Sequence, residues 1–263
     1  MMQPFLELKS LFSHRYIKSV LLLTQHQLER QYRYSFLGMI WTLILPTIQI
    51  LIYAFVFSAL LRLPQKAHAL YIMVGLLPWA FINNSVMGGC HSLLSNAHAI
   101  KRCVISKTIF PISMVLHNLF LFCTSFLCLY VVALFLYKGF SFTIVLIPLA
   151  ILPIFIFTAS TAVLVSFITP YIRDLNEFIN VVFLVGFYAT PILYQLESIP
   201  AEKRIFFQIN PFYQLLLPLY DIAYRQQIPS IQNITISFSL AFVMLAASYF
   251  IYRKLRKRVI FYF

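Results

Sequence analysis

Few residues in this chain could do chemistry, and their spacing limits what that chemistry can be. Seven acidic residues occur in 263 positions, and the one close carboxylate pair is Asp174 and Glu177, at i and i+3. Such a pair could hold a divalent metal or share acid–base work only with further ligands nearby, and no clustered aspartates supply them. Beside Arg173 the pair reads instead as a solvated loop ion pair. The six histidines are scattered, and His117 alone falls deep in an apolar run, where its polarity is costly unless it faces a bundle interior. His117 is therefore a candidate for a transport pathway, a subunit contact or an interhelical hydrogen bond. Cys90, Cys103, Cys123 and Cys128 lack metal-ligand spacing, and cysteine in apolar surroundings behaves as a small hydrophobe, so free thiols are expected. Glycines at 38, 75, 88, 89, 139 and 186 form neither GxxxxGK[ST] nor GxGxxG, which excludes nucleotide binding through such a loop. No catalytic residue, metal site or cofactor of its own is expected.

In place of charge, the apolar runs carry aromatic and amide groups. Gln49 and Tyr53 lie in one run, Asn83, Asn84 and Ser85 in a second, and Asn180, Tyr188, Thr190 and Tyr194 in a third. Such groups can hydrogen-bond sugar hydroxyls while their rings stack on sugar faces. Equally, tyrosines at span ends form interfacial belts and asparagines join helices. No charged relay crosses the runs, which argues against proton or ion coupling.

These residues must be positioned by membrane helices. Hydrophobic residues make up 61% of the chain, charged residues 10%, and the mean hydropathy is +0.86, too apolar for a soluble domain. The net charge of +13 sits at the ends of apolar runs, as juxtamembrane charge facing anionic lipid does, so no nucleic-acid partner is expected. Residues 11–34 form an amphipathic helix, with His14, Lys18, Gln25, Glu29 and Arg33 on one side and Phe12, Tyr16, Val20 and Leu23 on the other. Such a helix lies in the membrane interface or packs on the protein surface. Spans follow at about 36–61, 70–90, 109–137, 142–169, 178–196 and 234–252, with Pro46 kinking the first and Pro78-Trp79 and Gly88-Gly89 interrupting and loosening the second. Lys138 to Ser141 make a tight hairpin, and 92–105 is a polar connector containing a short helix.

The segment 205–224, broken by Asn210-Pro211 and Pro218, decides the topology. If it is re-entrant, six spans put both termini on one side, together with Lys101, Arg102, Lys107 and Arg173. The other side then carries fewer cations, namely Arg62, Lys66, Lys138, Lys203, Arg204 and Arg225. The positive-inside rule therefore favours an all-α integral membrane domain with six spans, an N-terminal interface helix, an outward re-entrant element and both termini cytoplasmic.

Arg33-Tyr34-Ser35-Phe36-Leu37-Gly38 followed by Trp41 and Pro46, Gly75-Leu76-Leu77-Pro78-Trp79, Lys107 with Phe110-Pro111, Arg173-Asp174, Thr190-Pro191-Ile192-Leu193-Tyr194 and Asn210-Pro211 together resemble the ABC-2 type permeases. The likeness is greatest to subunits that export O-antigen, capsule or teichoic acid. The chain departs from that pattern at Ile112, where the family commonly has arginine, and at Cys103-Val104-Ile105-Ser106.

The resemblance implies a homodimer in the bacterial inner membrane with two separate ATP-binding subunits, ATP and Mg being held by those partners. It implies a substrate-entrance site for a lipid-linked pyrophosphate at Arg30, Arg33, Leu37 and Gly38, and a channel lined by Gln49, Tyr53, Asn180, Phe187, Tyr188 and Tyr194. ATPase coupling would involve Lys18, Glu29, Asn96, Ile100, Lys101, Arg102, Arg173 and Asp174. Asn210 and Pro211 would form an outward gate. Two alternatives stand beside polysaccharide export. One is an ABC-2 exporter of a drug or small lipid. The other is a membrane transferase acting on lipid-linked sugars, which would need an essential His or Asp on its active side.

Overall fold

A computed structural model describes residues 14–61, 65–102, 105–137 and 142–262. Within them the regular structure is helical throughout, without a strand. Helix α1, His14–Tyr32, ends in a turn where Ser35 N–H donates to Tyr32 O at 3.1 Å and Gly38 N–H to Ser35 O at 3.2 Å. Gly38 takes a φ of +51°, open to glycine at little cost because it lacks a Cβ. A 3₁₀ turn, Gly38–Ile40, then leads into α2, Trp41–Leu61, which continues through Pro46. The first apolar helix thus starts several residues later than the sequence pattern indicates, because Ser35 to Leu37 are spent on reversing the chain.

Helix α3, Gln65–Ser95, is the centre of the bundle. Of its apolar window 67% is buried, against 28%, 22% and 17% in the other three long helices. It passes through both Pro78-Trp79 and Gly88-Gly89, so neither pair ends or loosens it. Proline is accommodated in buried membrane helices, and the glycines serve close packing. A Cβ on Gly89 would stand 2.9 Å from the Ala162 carbonyl oxygen and 3.0 Å from its Cα, and one on Gly88 2.8 Å from Met114 Cε. Small residues of this kind let helix backbones approach.

The short helix α4, Ala97–Arg102, precedes α5, Ile109–Tyr137; the expected hairpin at 138–141 lies outside the described residues, as does Cys103. Cys90, Cys123 and Cys128 are free thiols. A 3₁₀ segment, Phe142–Leu146, enters α6, Ile147–Ile168, and α7 is Leu175–Ala189. Helix α7 stops short of the expected 196 because Thr190 is extended (φ −98°, ψ 127°) ahead of Pro191, the conformation a following proline imposes. After it come α8, Ala201–Gln208, α9, Pro211–Ala223, and α10, Ile231–Leu255.

Among the described residues, four stretches are long and apolar enough to cross a membrane, Leu70–Ser95, Ile109–Leu134, Phe142–Ile168 and Ile231–Leu255, with shorter apolar helices at Gly38–Gln49 and Leu175–Ala189. The chain is a multi-pass integral membrane protein. The main core joins α3, α5, α6, α9 and α10 around Ile72, Ile82, Ile154, Leu215 and Leu219. A second cluster, Leu93, Ile100, Phe110, Phe167 and Val259 with Leu23 and Tyr252 against it, sits at one end.

Opposite that end, α8 and α9 form a hairpin that enters the bundle. Tyr220 stacks on Tyr71 with ring centroids 4.7 Å apart, whereas Phe212, at the start of α9, meets Trp79 at 5.1 Å and Phe157 at 6.1 Å. Tyr71 and Trp79 are separated along α3 by about 12 Å, so the Asn210-Pro211 corner is that much deeper than Tyr220. Thr143, at the head of α6, donates to Ile222 O at 3.2 Å, fixing the far end of α9 at the bundle rim.

Candidate functional site

The residues at the end of α1 converge on a cleft of about 670 Å³ lined by His26, Glu29, Arg30, Tyr32, Arg33 and Gly38. Arg30 and Arg33 are exposed, and the Arg33 guanidinium stands 5.6 Å from the Tyr34 ring centroid. Three of the four expected entrance residues, Arg30, Arg33 and Gly38, therefore share one site; Leu37 is half-buried at the turn and does not line it. His26 belongs to the same surface, and its spacing from Arg30 and Arg33, i, i+4 and i+7, is the sequence signal that places it there. A second cleft of about 340 Å³ shares His26 and Arg30 and continues past Gln27 to His91, Ser95 and Asn96. The arrangement is a basic, solvent-open trough with donors on two helices, suited to an anionic headgroup.

Helix α1 reaches this position by packing on α5. Tyr16 Oη and Thr108 Oγ1 are 3.1 Å apart, Thr24 Oγ1 donates to Ser113 O at 3.3 Å, and Gln27 Nε2 donates to Ser113 Oγ at 3.2 Å. The inward stripe is thus Tyr16, Val20, Thr24 and Gln27, one residue per turn, with Ile17, Leu21 and Leu22 left exposed. Of the two readings of this helix, the packed one describes the contact with α5, and Leu22 is among the apolar residues turned outward.

Among the expected coupling residues, Lys18, Glu29, Lys101, Arg102, Arg173 and Asp174 are all exposed. Ile100 is not: it is 4% exposed in the second cluster and anchors α4 from within. Asn96 donates its amide to Ser92 O at 2.8 Å and accepts the Ile100 N–H at 3.0 Å through its own carbonyl, joining α3 to α4. Lys107 Nζ donates to Arg256 O at 2.6 Å at the C-terminus of α10, where a cation complements the helix dipole. Burial lowers the Lys107 ammonium below the ordinary lysine range. The expected ion pair of Arg173 with Asp174 or Glu177 is not formed. Asp174 instead stands at the N-cap position of α7 and Glu177 in its first turn, where acidic groups oppose the dipole's positive end.

A second site runs between α3 and α7. Trp79, Asn83, Asn180, Phe187 and Tyr188 line a groove of about 470 Å³, with Glu177 at one end. Trp79 organises it, with ring centroids 5.7 Å from Phe183, 5.8 Å from Phe187 and 5.1 Å from Phe212. Asn83 Oδ1 is buried without a hydrogen-bond partner among the described residues, and Asn83 lines the same groove as Asn180. Of the expected channel residues, Asn180, Phe187 and Tyr188 come together here. Tyr194 does not line the groove but is tied to it, its hydroxyl donating to Tyr188 O at 2.6 Å and its ring standing 6.0 Å from Phe207. Gln49 is exposed on α2 apart from the groove, and the Tyr53 side chain lies outside the described residues. Trp79 itself is the lining residue that periodicity alone does not single out. On α5, His117 is buried and its Nδ1 has no hydrogen-bond partner among the described residues, so the interhelical bond expected of it is not made through that nitrogen.

The expected gate residues tie α7 to α9. Asn210 Nδ2 donates to Ala189 O at 2.9 Å and to Thr190 Oγ1 at 3.1 Å, while its Oδ1 accepts the Phe212 N–H at 2.9 Å as the N-cap of α9; Pro211 fills the first helical position. Replacing Asn210 with alanine removes the cap and both donations, and is expected to lower stability by about 2 kcal/mol in detergent unfolding. Asn210→Asp, which keeps the acceptor alone, should fall between. Beyond this corner, the buried Asp221 accepts from Arg225 Nη1 at 2.7 Å and from Asn233 Nδ2 at 2.9 Å, joining α9 to α10. Only the i, i+4 spacing of Asp221 and Arg225 hints at that link in the sequence.

The sequence pattern of one protein family, described as ABC-2 type transporter, matches residues 18–222. Three bacterial relatives carry the description O-antigen export system permease protein. That of Myxococcus xanthus is 27% identical over 246 residues, covering 93% of this chain and 95% of its own length. Two from Klebsiella pneumoniae are 27% identical over 243 residues, covering 91% and 92%, and 26% identical over 257 residues, covering 96% and 98%.

Proposed function

Because the chain belongs to the ABC-2 type transporter family, we propose that it is the permease subunit of an ATP-driven exporter that carries an undecaprenyl-diphosphate-linked polysaccharide across a bacterial inner membrane. One observation carries the choice of cargo. The α3–α7 groove combines aromatic faces with amides on both walls, Asn83 and Asn180, and holds a single carboxylate at its end. Sugars need stacking surfaces and hydroxyl partners, whereas a hydrophobic drug would leave the exposed Asn180 amide without a partner in the groove. The names of the relatives point to the same class of cargo.

The working unit is a homodimer with two ATP-binding subunits, which hold ATP and Mg. Its topology is six spans, α2, α3, α5, α6, α7 and α10, with both termini cytoplasmic. Support comes from the way Leu23, Leu93, Phe110, Phe167, Tyr252 and Val259 gather at one end, together with Lys101, Arg102 and the Arg253 to Arg258 cations. The α8–α9 hairpin is then a re-entrant outward gate, dipping about 12 Å below its rim. The lipid-linked pyrophosphate enters against Arg30 and Arg33, and the exposed faces of α1 and α4 receive the ATPase.

Leucine at both Asn180 and Tyr188 should reduce the glycan reaching the cell surface about tenfold, two polar or stacking contacts being worth together about 1.5 kcal/mol, with the ATPase still co-purifying. Full glycan export from cells carrying that pair of substitutions would sink the proposed cargo path.

A further inference from the structure

We infer that the α1, α5, α6 and α10 helices form a binding site for one anionic phospholipid of the surrounding bilayer. The site is separate from both the basic trough and the α3–α7 groove, and it does not depend on which substrate the protein exports. A groove of about 180 Å³ opens between these helices, with Tyr16, Ile112, Val163, Leu245, Ser248 and Tyr249 among its walls. Its depth follows α10 from Leu245 to Tyr252, about 10 Å along the helix. That is the direction an acyl chain takes in a leaflet. The floor is made by small residues, Ala159 and Ser160 on α6 and Ser248 on α10, and the Ser160 hydroxyl is satisfied within its own helix, donating to Ile156 O at 2.7 Å. Lipid tails lie in shallow apolar furrows of this kind.

The chemistry of the mouth identifies the headgroup. Three tyrosines, Tyr16, Tyr249 and Tyr252, ring the end near the helix terminus, the amphipathic residues favoured at the level of lipid headgroups. Two cations stand beside them. Arg253 lies with its guanidinium carbon 5.7 Å from the Tyr249 ring centroid, and that of Arg256 is 5.9 Å from the Tyr252 ring centroid. Lys107 adds a third positive charge one residue from Thr108, although its ammonium is engaged with Arg256 O. Among the described residues, no acidic side chain lines the groove. An apolar furrow under a cationic, tyrosine-rimmed mouth fits a phosphate diester with acyl chains, and basic pockets between membrane helices bind anionic lipid in this way. Zwitterionic phosphatidylcholine supplies the chains without the net charge and should be held less well.

The test uses the full chain with its ATPase partner, purified in detergent and exchanged against phosphatidylglycerol or phosphatidylcholine, with retained lipid read by native mass spectrometry. The expected result is one phosphatidylglycerol retained per chain in preference to phosphatidylcholine. Retention should weaken about thirtyfold on joint Arg253→Gln and Arg256→Gln substitution, the two cations acting at about the strength of surface charges on a membrane. Leu245→Trp, at an exposed position on the furrow wall, should block retention while leaving charge unchanged; Arg204→Gln, a cation on the opposite end, should leave it intact. Equal retention of both lipids by the unsubstituted chain, or phosphatidylglycerol retention that survives Leu245→Trp, would overturn the inference.

Discussion

Replacing both Arg30 and Arg33 by glutamine is expected to lower export about thirtyfold, while the chain stays folded and keeps the proposed ATP-binding partner. Both side chains are exposed on the wall of the basic cleft, so neither carries the fold. Each exposed cation near a membrane surface is worth about 1 kcal/mol toward an anionic group, and two such losses amount to a factor of about thirty. Arg→Lys at both positions keeps the charge and loses the planar fork that matches phosphate oxygens, so it should land between the two. His26 and Gly38 remain to hold the shape of the cleft. Measurement of surface glycan alongside membrane abundance and ATPase co-purification separates a lost contact with cargo from a lost protein.

Gly89→Leu is expected to destabilise the bundle by about 3 kcal/mol, more than any other single change considered, because it overpacks a backbone contact. Even an alanine Cβ would lie 2.9 Å from the Ala162 carbonyl oxygen, and a carbonyl in the middle of α6 cannot swing aside as a side-chain tip can. Gly38→Ala makes a useful contrast. No atom lies within 4 Å of a Cβ built there, yet the φ of +51° costs an L-residue about 1 kcal/mol. The first change should lower the unfolding midpoint in detergent sharply and reduce membrane abundance. The second should lower the midpoint slightly, with its larger effect on export through the turn that joins α1 to α2.

The spans and the breaks between them are legible in the sequence wherever charge and proline mark an end. The cations from Arg253 to Arg258 mark the end of α10, the first two filling its last turn, and Pro191 stops α7, although seven residues sooner than hydropathy alone indicates. The basic trough is legible too, since His26, Arg30 and Arg33 share one helical face. Contacts between distant segments leave weaker marks. Gly88-Gly89 reads as a loosened helix end until Ala162 and Met114 are seen against it. Ile100 sits beside Lys101 and Arg102 in a polar connector, and only the convergence of Leu93, Phe110, Phe167 and Val259 makes it a core residue. Trp79 follows a proline in an apolar run and shows nothing of the three aromatic neighbours, Phe183, Phe187 and Phe212, that it gathers from α7 and α9. The α1 helix has an apolar stripe on each side of its packed face, so an amphipathic pattern alone does not decide whether α5 or lipid takes Tyr16 and Val20.

The most direct measurement is transport in proteoliposomes that hold the purified chain, its ATP-binding subunit and an undecaprenyl-diphosphate-linked polysaccharide. The account predicts that the glycan crosses the bilayer only when the ATPase is present and ATP is supplied, and that the Arg30→Gln, Arg33→Gln chain moves it about thirtyfold more slowly at limiting substrate. Movement that continues without ATP or without the partner subunit, or a chain that binds no ATP-binding subunit, would contradict it.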